Sequence, residues 1–439
     1  MRPSSPQKDQ AKSIYITNTR STIMLHRLYR RSFKPICQNI GIHSHIKSVY
    51  ESINLSNYIE SYDRESLRSQ ADQILEYSSS EKIQITRPDD LSDETIISSL
   101  SKVTGTYYFS RPFVAEINDA RVLKQLGVCT TSNHTVILET ASSRGDRIQR
   151  YLQYHQQFTA KLLWKQLFSS NQAESHDIDT AVSFLRIPDP IDKNRSKDGY
   201  SHWVQSYLTR LQGLEHYIEE TGTRPKLIVE KNPPSWLLES LEFYGFEDDI
   251  VFWDPDEELR IRQLVVPSIR RVEQLETDVK SSVRYKMVSK EACQWLRQRS
   301  IEQLSNSNDN SFSKKIFISR SDADRRRAIP QKQVQDKLHT KDFQSYQLTE
   351  IDFKEQVQLF AEAEKLVAVH GAGLVNIMFA EECSITEIIG DVYKPTYYLM
   401  AKNLDLNYYI IRGESADQSH LPVIHRDIHI GKKILNEFE

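Results

Sequence analysis

Cysteine is scarce in this 439-residue sequence: the four residues, at positions 37, 129, 293 and 383, are far apart and form no Cys-x-x-Cys pair. Disulfide-held domains and zinc domains both need cysteines at short, paired spacings. The pattern therefore argues against either class and suits a reducing compartment.

Long apolar runs are also missing. The most apolar stretch, Leu366 to Ala380, is interrupted by His370, two glycines and Asn376, and is too short to cross a bilayer. The first 35 residues are rich in Lys and Arg, but no apolar segment of a secretory signal follows. We therefore expect a cytoplasmic protein. The basic residues are either a solvated tail or a contact with the anionic cytoplasmic face of a membrane.

Neither sign of charge dominates. The chain has 57 Lys and Arg against 60 Asp and Glu, a net charge of −3. This balance excludes a generally basic nucleic-acid-binding protein, although not a local basic patch. Hydrophobic residues make up 38% and charged residues 27%, as in a water-soluble globular protein. The length favours two or three domains.

The sequence divides into three regions that differ in composition and in the pattern of apolar residues. Residues 1–98 are polar and Ser-rich, and we predict an accessory segment there. Residues 99–300 contain a strand-like hairpin, Val128 to Glu139, and helical runs at Arg147 to Phe168 and Ser201 to Thr221. A polar stretch at 300–313 separates them from a second block, 314–439. Strands alternate with helices in both blocks, which predicts an α/β fold with two Rossmann-like, doubly wound domains.

The second block gives the clearer pattern. Its predicted strands are Lys315–Ser319, Tyr346–Leu348, Leu366–Val369 and Ile385–Ile389, and its predicted helices are Gln331–His339, Lys354–Ala363, Gly373–Phe379 and Tyr397–Leu404. Such sheets bind ligands beyond the carboxyl ends of their strands. The residues that follow each strand are therefore the first candidates for a site.

The sequence Val-Ala-Val-His-Gly-Ala-Gly-Leu-Val-Asn, residues 367–376, is the sharpest of these candidates. A buried strand leads into a turn of small residues that begins a helix. Free N–H groups and the helix dipole favour an anion at such a place, and glycine allows close approach of the backbone. A tight structural turn is the alternative.

Two further residues belong to the same sheet. Arg320 follows the strand ending at Ser319, and its guanidinium suits phosphate geometry; a surface ion pair is the alternative. Arg325 to Arg327 follow, at least one of them on a solvated face. Glu387 lies inside an apolar strand, where an acid is costly unless paired. Its partner is either a ribose diol or a neighbouring side chain.

Asp-x-Asp pairs occur at Asp177/Asp179, Asp254/Asp256 and Asp322/Asp324. Such pairs of carboxylates can hold a divalent metal ion. With this many acidic residues chance alone yields several, and we predict no metal site.

The segments ISRSDADRRR, VAVHGAGLVNIMFA and TEIIG together resemble, in order and spacing, the nucleotide-sugar domain of the family 61 glycosyltransferases, which include microbial capsular and exopolysaccharide enzymes. Tyr200 to Trp203, followed by Leu208 to Leu211, is similar to the signature of their first domain, and Arg111–Phe113 through Glu139-Thr140 is similar more loosely. The resemblance runs from about 105 to 415. It implies a GT-B fold, inverting transfer and no obligatory metal or other cofactor.

Three positions depart from the family pattern: Ser206 replaces an acid, Thr209 replaces proline, and Pro330-Gln331 replaces Asn-Glu. The first departure leaves the identity of the catalytic base open. We expect His202 to be that base, because the ordinary pKa of histidine lies close to neutral; a packed helix-start residue is the alternative.

The resemblance implies that a nucleotide-sugar donor is bound by a set of seven residues: Arg320, His370, Gly371, Ala372, Gly373, Asn376 and Glu387. The transferred group is a hexose or a pentose, and the acceptor is a glycan or a glycolipid. One alternative is a catalytically inactive family member that binds a nucleotide or a glycan. A second, an NAD-dependent oxidoreductase, is disfavoured because the turn lies late in the chain and lacks the GxGxxG form.

Overall fold

The computed structural model describes residues 61–88, 91–123, 127–133, 135–144, 175–186, 199–255, 257–275, 286–305 and 311–435. The basic residues 1–35, the predicted helix Arg147 to Phe168, Cys37 and Asp256 lie outside these ranges. Among the described residues, no helix combines the length and apolar character needed to span a membrane.

We call the described residues up to 305 the first part of the chain and those from 311 onward the second part. The first part contains twelve described strands, β1 Ser61–Tyr62, β2 Gln73–Glu76, β3 Glu81–Ile85, β4 Gly105–Phe109, β5 Phe113–Leu123, β6 Val128–Thr130, β7 Val136–Ile137, β8 Ser175–Ser183, β9 Lys226–Glu230, β10 Ile250–Trp253, β11 Glu258–Pro267 and β12 Gln274–Leu275. The larger sheet has the order β1-β7-β6-β5-β11-β8-β9-β10, with β2 also on β5, and the smaller has the order β12-β4-β3.

The larger sheet is mixed. Strands β5 and β11 pair antiparallel at its centre, and β8, β9 and β10 continue from β11 in parallel. The prediction of a parallel, doubly wound sheet in residues 99–300 therefore holds for one side only. Strand β5 escaped prediction because Glu116, Asn118 and Asp119 interrupt its apolar pattern.

Residues 61–98 are part of these sheets. Strand β2 pairs with β5, and β3 pairs with β4. A boundary at residue 98 would therefore cut between paired strands, because the accessory segment is built into the first sheets over its described part.

The helices of this part are α1 Arg64–Gln70, α2 Glu94–Ser101, α3 Tyr200–His202, α4 Leu211–Thr221, α5 Ser235–Phe243 and α6 Lys290–Leu304, with 3-10 turns at Leu138–Arg144, Leu208–Arg210 and Glu247–Asp249. A π-helical turn, Trp203–Tyr207, joins α3 to the 3-10 turn that leads into α4. Helix α4 ends at Gly222 in the left-handed conformation (φ 70°), as its sequence predicts.

The second part contains strands β13 Lys315–Ile318, β14 Ala328–Ile329, β15 Gln344–Tyr346, β16 Lys365–Val369, β17 Ser384–Ile389, β18 Asn407–Arg412, β19 Glu414–Ser415 and β20 Ile428–His429. Its helices are α7 Gln331–His339, α8 Phe353–Glu362, α9 Thr396–Asn403 and α10 Lys432–Leu435, with 3-10 turns at Leu348–Glu350, Ala372–Phe379 and Val423–His425. Five strands form a fully parallel sheet of order β15-β13-β16-β17-β18.

This order reverses between β13 and β16. The chain moves outward from β13 to β15 and then returns to β16 on the other side. A doubly wound sheet opens a crevice at such a switch point, beyond the carboxyl ends of the two strands. Mixed α/β architecture is thus confirmed, and the parallel sheet of the second part places one ligand crevice between β13 and β16.

The two parts share a continuous apolar core. Helix α6 packs against the 3-10 turn Ala372–Phe379, and α5 packs against α8. Polar contacts fasten the same interface: the Tyr398 hydroxyl donates to the Thr86 carbonyl at 2.6 Å, and Arg412 pairs with Asp93 at 2.8 Å.

Candidate active site

The switch point brings Arg320 and Gly371 together. Arg320 comes two residues after β13, and Gly371 comes two residues after the neighbouring β16. A Cβ on Gly371 would collide with Nη1 of Arg320. The backbone of Gly371 is extended (φ −169°), which any residue adopts. Glycine is therefore needed here for the space that the guanidinium occupies.

Arg320 and Arg326 are cations with incomplete pairing. Both side chains are half-buried, and the Nε atom of each is fully buried without a hydrogen-bond acceptor within the described part of the chain. The Nη2 of Arg320 reaches only the Arg325 carbonyl, at 3.3 Å. Burial, together with the neighbouring Arg320 and Arg325, lowers the pKa of Arg326 to about 10. Buried cations are stable only when an anion or acceptor satisfies them.

The three consecutive arginines have three different environments. Arg325 is exposed, whereas Nε and Nη2 of Arg327 both donate to Oδ2 of the buried Asp427, at 3.1 and 2.7 Å. Arg327 thus anchors the loop, and Arg326 sits in the left-handed region (φ 58°) between the other two. The sequence indicated a run of arginines but could not assign these separate roles.

The ring of His370 is positioned by a buried acid, Glu387. Its Nδ1 lies 2.6 Å from Oε1 of Glu387, and the Tyr408 hydroxyl donates to Oε2 of the same carboxylate at 2.5 Å. Glu387 is fully buried, while 14% of the His370 side chain remains exposed. The partner of Glu387 is therefore the neighbouring histidine, one of the two partners expected from sequence. In this arrangement both carboxylate oxygens are occupied, so Glu387 does not face the crevice.

Tyr397 lines the same place and was missed from sequence. Its ring lies 5.3 Å from that of His370, and the side chain is 5% exposed. Burial, and then the charge of Glu387, raises the pKa of Tyr397. Its hydroxyl therefore stays a hydrogen-bond donor at neutral pH. A tyrosine at the start of a helix after β17 gave no distinctive sequence signal.

The turn after His370 opens a 3-10 helix, Ala372–Phe379. The first N–H groups of a helix have no acceptor within it, so those of Ala372 and Gly373 are available to a ligand. Gly373 itself serves packing, because a Cβ there would collide with Cδ1 of Leu348. The expected close approach of the backbone to a bound group is therefore better placed at Gly371.

Asn376 lies away from the crevice. It is fully buried, its Oδ1 accepts from the Tyr200 hydroxyl at 2.8 Å, and its Nδ2 donates to Gln356 at 3.0 Å. Since both amide atoms are engaged, Asn376 joins the two parts of the chain in this structure.

His202 is half-buried at the end of α3, and α3 packs against the 3-10 turn Ala372–Phe379. The structure therefore brings the element that carries the predicted base against the element that carries the glycine turn. The π-helical turn begins at the next residue, and π turns recur at functional sites. Ser206, in the position of the family's acid, is buried in that turn.

The other signature residues of the first part stabilise its sheet. Arg210 is fully buried and donates to the carbonyls of Ser183 (3.0 Å) and Pro267 (3.3 Å). Glu139, also fully buried, accepts from the Ile269 N–H at 2.7 Å and pairs with Arg271 at 3.1 Å. These contacts hold together the segments around β8 and β11.

The Asp-x-Asp pairs show no convergence on a metal. Asp179 pairs with Arg262 at 3.0 Å, and Asp322 accepts from Thr349 at 2.7 Å. Among the residues that the structure describes, no group of three or more His, Cys, Asp or Glu side chains could hold a metal ion. Independence from metal stays a prediction.

Residues 200–389 match the family model described as Glycosyltransferase 61. Over these residues the chain is similar to the glycosyltransferase 61 family. The match begins with α3 and ends with β17, so it includes His202, Arg320, His370 and Glu387. A comparison with curated proteins finds no match. The resemblance to family 61 is therefore confirmed over these residues and supports a glycosyltransferase, while the donor, the acceptor and the stereochemistry are not assigned by it.

The Gly371 contact gives the first prediction for this site. Gly371→Ala must displace the Arg320 guanidinium, so we expect affinity for a nucleoside diphosphate to fall about tenfold or more, a change of about 1.4 kcal/mol. Isothermal titration calorimetry measures it. Gly373→Ala is the matched control: it should lower the melting temperature through Leu348 and change affinity less. Equal affinity losses in the two variants would contradict the assignment.

The arginine loop gives the second prediction. The pKa of Arg326 is lower in the folded protein than that of an ordinary arginine, so its charge opposes folding at neutral pH. Arg326→Asn suits the left-handed backbone, and it should raise the melting temperature of the free protein while removing stabilisation by nucleoside diphosphates. Arg327→Asn should do the reverse, because it breaks the Asp427 pair. Thermal denaturation with and without nucleotide decides between these outcomes, and a destabilised Arg326→Asn would contradict the analysis.

Proposed function

We propose that this protein is an inverting, metal-independent glycosyltransferase of the GT-B type that transfers a hexose or pentose from a nucleoside-diphosphate sugar. The observation that carries the proposal is the pair of incompletely satisfied guanidinium groups, Arg320 and Arg326, at the switch point of a parallel sheet. A diphosphate supplies the acceptors and the negative charge that these groups lack.

The donor diphosphate would be bound from three directions. Arg320 and Arg326 contribute charge, His370 contributes its exposed ring edge, and the turn Gly371, Ala372 and Gly373 contributes backbone N–H groups. Together they neutralise the charge that grows on the leaving diphosphate as the glycosidic bond breaks. Glu387 and Asn376, expected as direct donor ligands, act in our proposal through His370 and Tyr200.

The acceptor would approach from the first part of the chain. We assign His202 as the base that takes the proton from the acceptor hydroxyl as its oxygen attacks the anomeric carbon. The packing of α3 against the glycine turn supports this assignment, because it places base and diphosphate on adjoining elements. The acceptor class that we propose is a glycan or glycolipid of a polysaccharide pathway in the cytoplasm.

A panel of nucleoside diphosphates and their sugars tests donor binding. A true donor should raise the melting temperature, because it binds only the folded form. The donor identified in this way should then be consumed, with transfer to an acceptor or hydrolysis, at a rate that EDTA leaves unchanged. Loss of turnover in EDTA with recovery in manganese would contradict the metal-independent mechanism, and binding without any turnover would favour the inactive, binding-only alternative.

Two substitutions separate catalysis from binding. His202→Ala should lower kcat by about 10²–10⁴-fold, the usual contribution of a general base, and leave the nucleotide dissociation constant nearly unchanged. Arg320→Ala should impair both, because the diphosphate is charged before and during departure. Steady-state kinetics with calorimetry measure the contrast. Near-normal turnover of a folded His202→Ala protein would place the base elsewhere.

A further inference from the structure

A chain of three side chains connects the helix that carries the predicted base to the donor turn. The Tyr200 hydroxyl donates to Oδ1 of Asn376 at 2.8 Å, and Nδ2 of Asn376 donates to Oε1 of Gln356 at 3.0 Å. The Gln356 amide then donates to the carbonyls of Leu348 (2.9 Å) and Ile351 (3.2 Å). Three segments that are distant in sequence are thereby fixed to one another.

Two links of this chain lie in the interior, and the third, Tyr200, is half-buried. Asn376 is 0% exposed and Gln356 is 6% exposed. Burial raises the pKa of Tyr200 above its ordinary value, so the hydroxyl keeps its proton and remains a donor. Leaving a buried partner unsatisfied is costly, and a fully satisfied chain therefore favours a single relative position of the segments.

The segments that it joins are those of the candidate active site. Tyr200 shares the short helix α3 with His202, and its ring packs edge-on against Trp236 at 5.5 Å. Asn376 belongs to the 3-10 turn that the glycines open, and Leu348 fills the space beside Gly373. The hydrogen bond between Tyr200 and Asn376 therefore ties the donor turn to the acceptor-side helix.

We propose that Tyr200 and Asn376 are positioning residues that set the distance between His202 and the donor diphosphate. The inference rests on the proposed transferase function. It gives Asn376 a role in the rate of transfer, whereas a direct donor ligand would act on donor affinity. Catalytic groups must be held within a fraction of an ångström, and a displacement of about 1 Å can cost about 10²-fold in rate.

Tyr200→Phe tests the proposal, because it removes the hydroxyl and keeps the ring against Trp236. We expect kcat to fall between about tenfold and about 10²-fold, following the cost of misplacement, with the dissociation constant for the nucleoside diphosphate unchanged. Tyr107→Phe is the matched control: it removes another buried hydroxyl, which donates to the Val103 carbonyl at 2.5 Å in the first part of the chain. It should leave kcat unchanged.

A double-mutant cycle with His202→Ala separates positioning from a general loss of stability. If Tyr200 acts through His202, Tyr200→Phe has no further effect on kcat once His202 is alanine. Additive losses in the double variant, an unchanged kcat in Tyr200→Phe, or an equal loss in Tyr107→Phe would each overturn the proposal. Failure of the transferase function itself would show differently, as an absence of turnover in the unmodified protein.

Discussion

The candidate site depends on two cationic side chains that are incompletely paired. The buried Nε atoms of Arg320 and Arg326 have no hydrogen-bond acceptor among the described residues. Removing an ion from water costs several kcal/mol even after relaxation, unless a partner compensates. Both side chains lie beyond the end of a parallel sheet and are half-buried. An anion of matching geometry would convert that cost into binding free energy.

Several contacts that look unrelated maintain this arrangement. The ion pair of Arg327 with Asp427 anchors the loop that carries Arg326, and strands β14 and β20 pair beside it. Gly371 leaves room for the Arg320 guanidinium. Behind the crevice, Glu387 holds His370 and is held in turn by Tyr408. The site is therefore preorganised by packing and by buried hydrogen bonds.

The second part of the chain was predictable because its strands are short, apolar and separated by clear helices. Strand β16 and helix α7 appear within one residue of their predicted bounds. Arg320 was expected near the glycine turn because both follow the carboxyl ends of strands in one predicted sheet. The first part was harder to predict: β5 carries charged residues, and its pairing with β11 joins positions more than a hundred residues apart. The direction in which individual side chains point could not be predicted from the sequence. Asn376 and Glu387 carry suitable groups, yet both are turned toward buried partners.

A structure of the protein with its preferred nucleoside diphosphate tests the central claim most directly. The account predicts a diphosphate at the switch point between β13 and β16, with its oxygens within hydrogen-bonding distance of Arg320 and Arg326 and beside the exposed edge of His370. A nucleotide bound at the first sheet, at an Asp-x-Asp pair, or with both arginines still unpaired would contradict it.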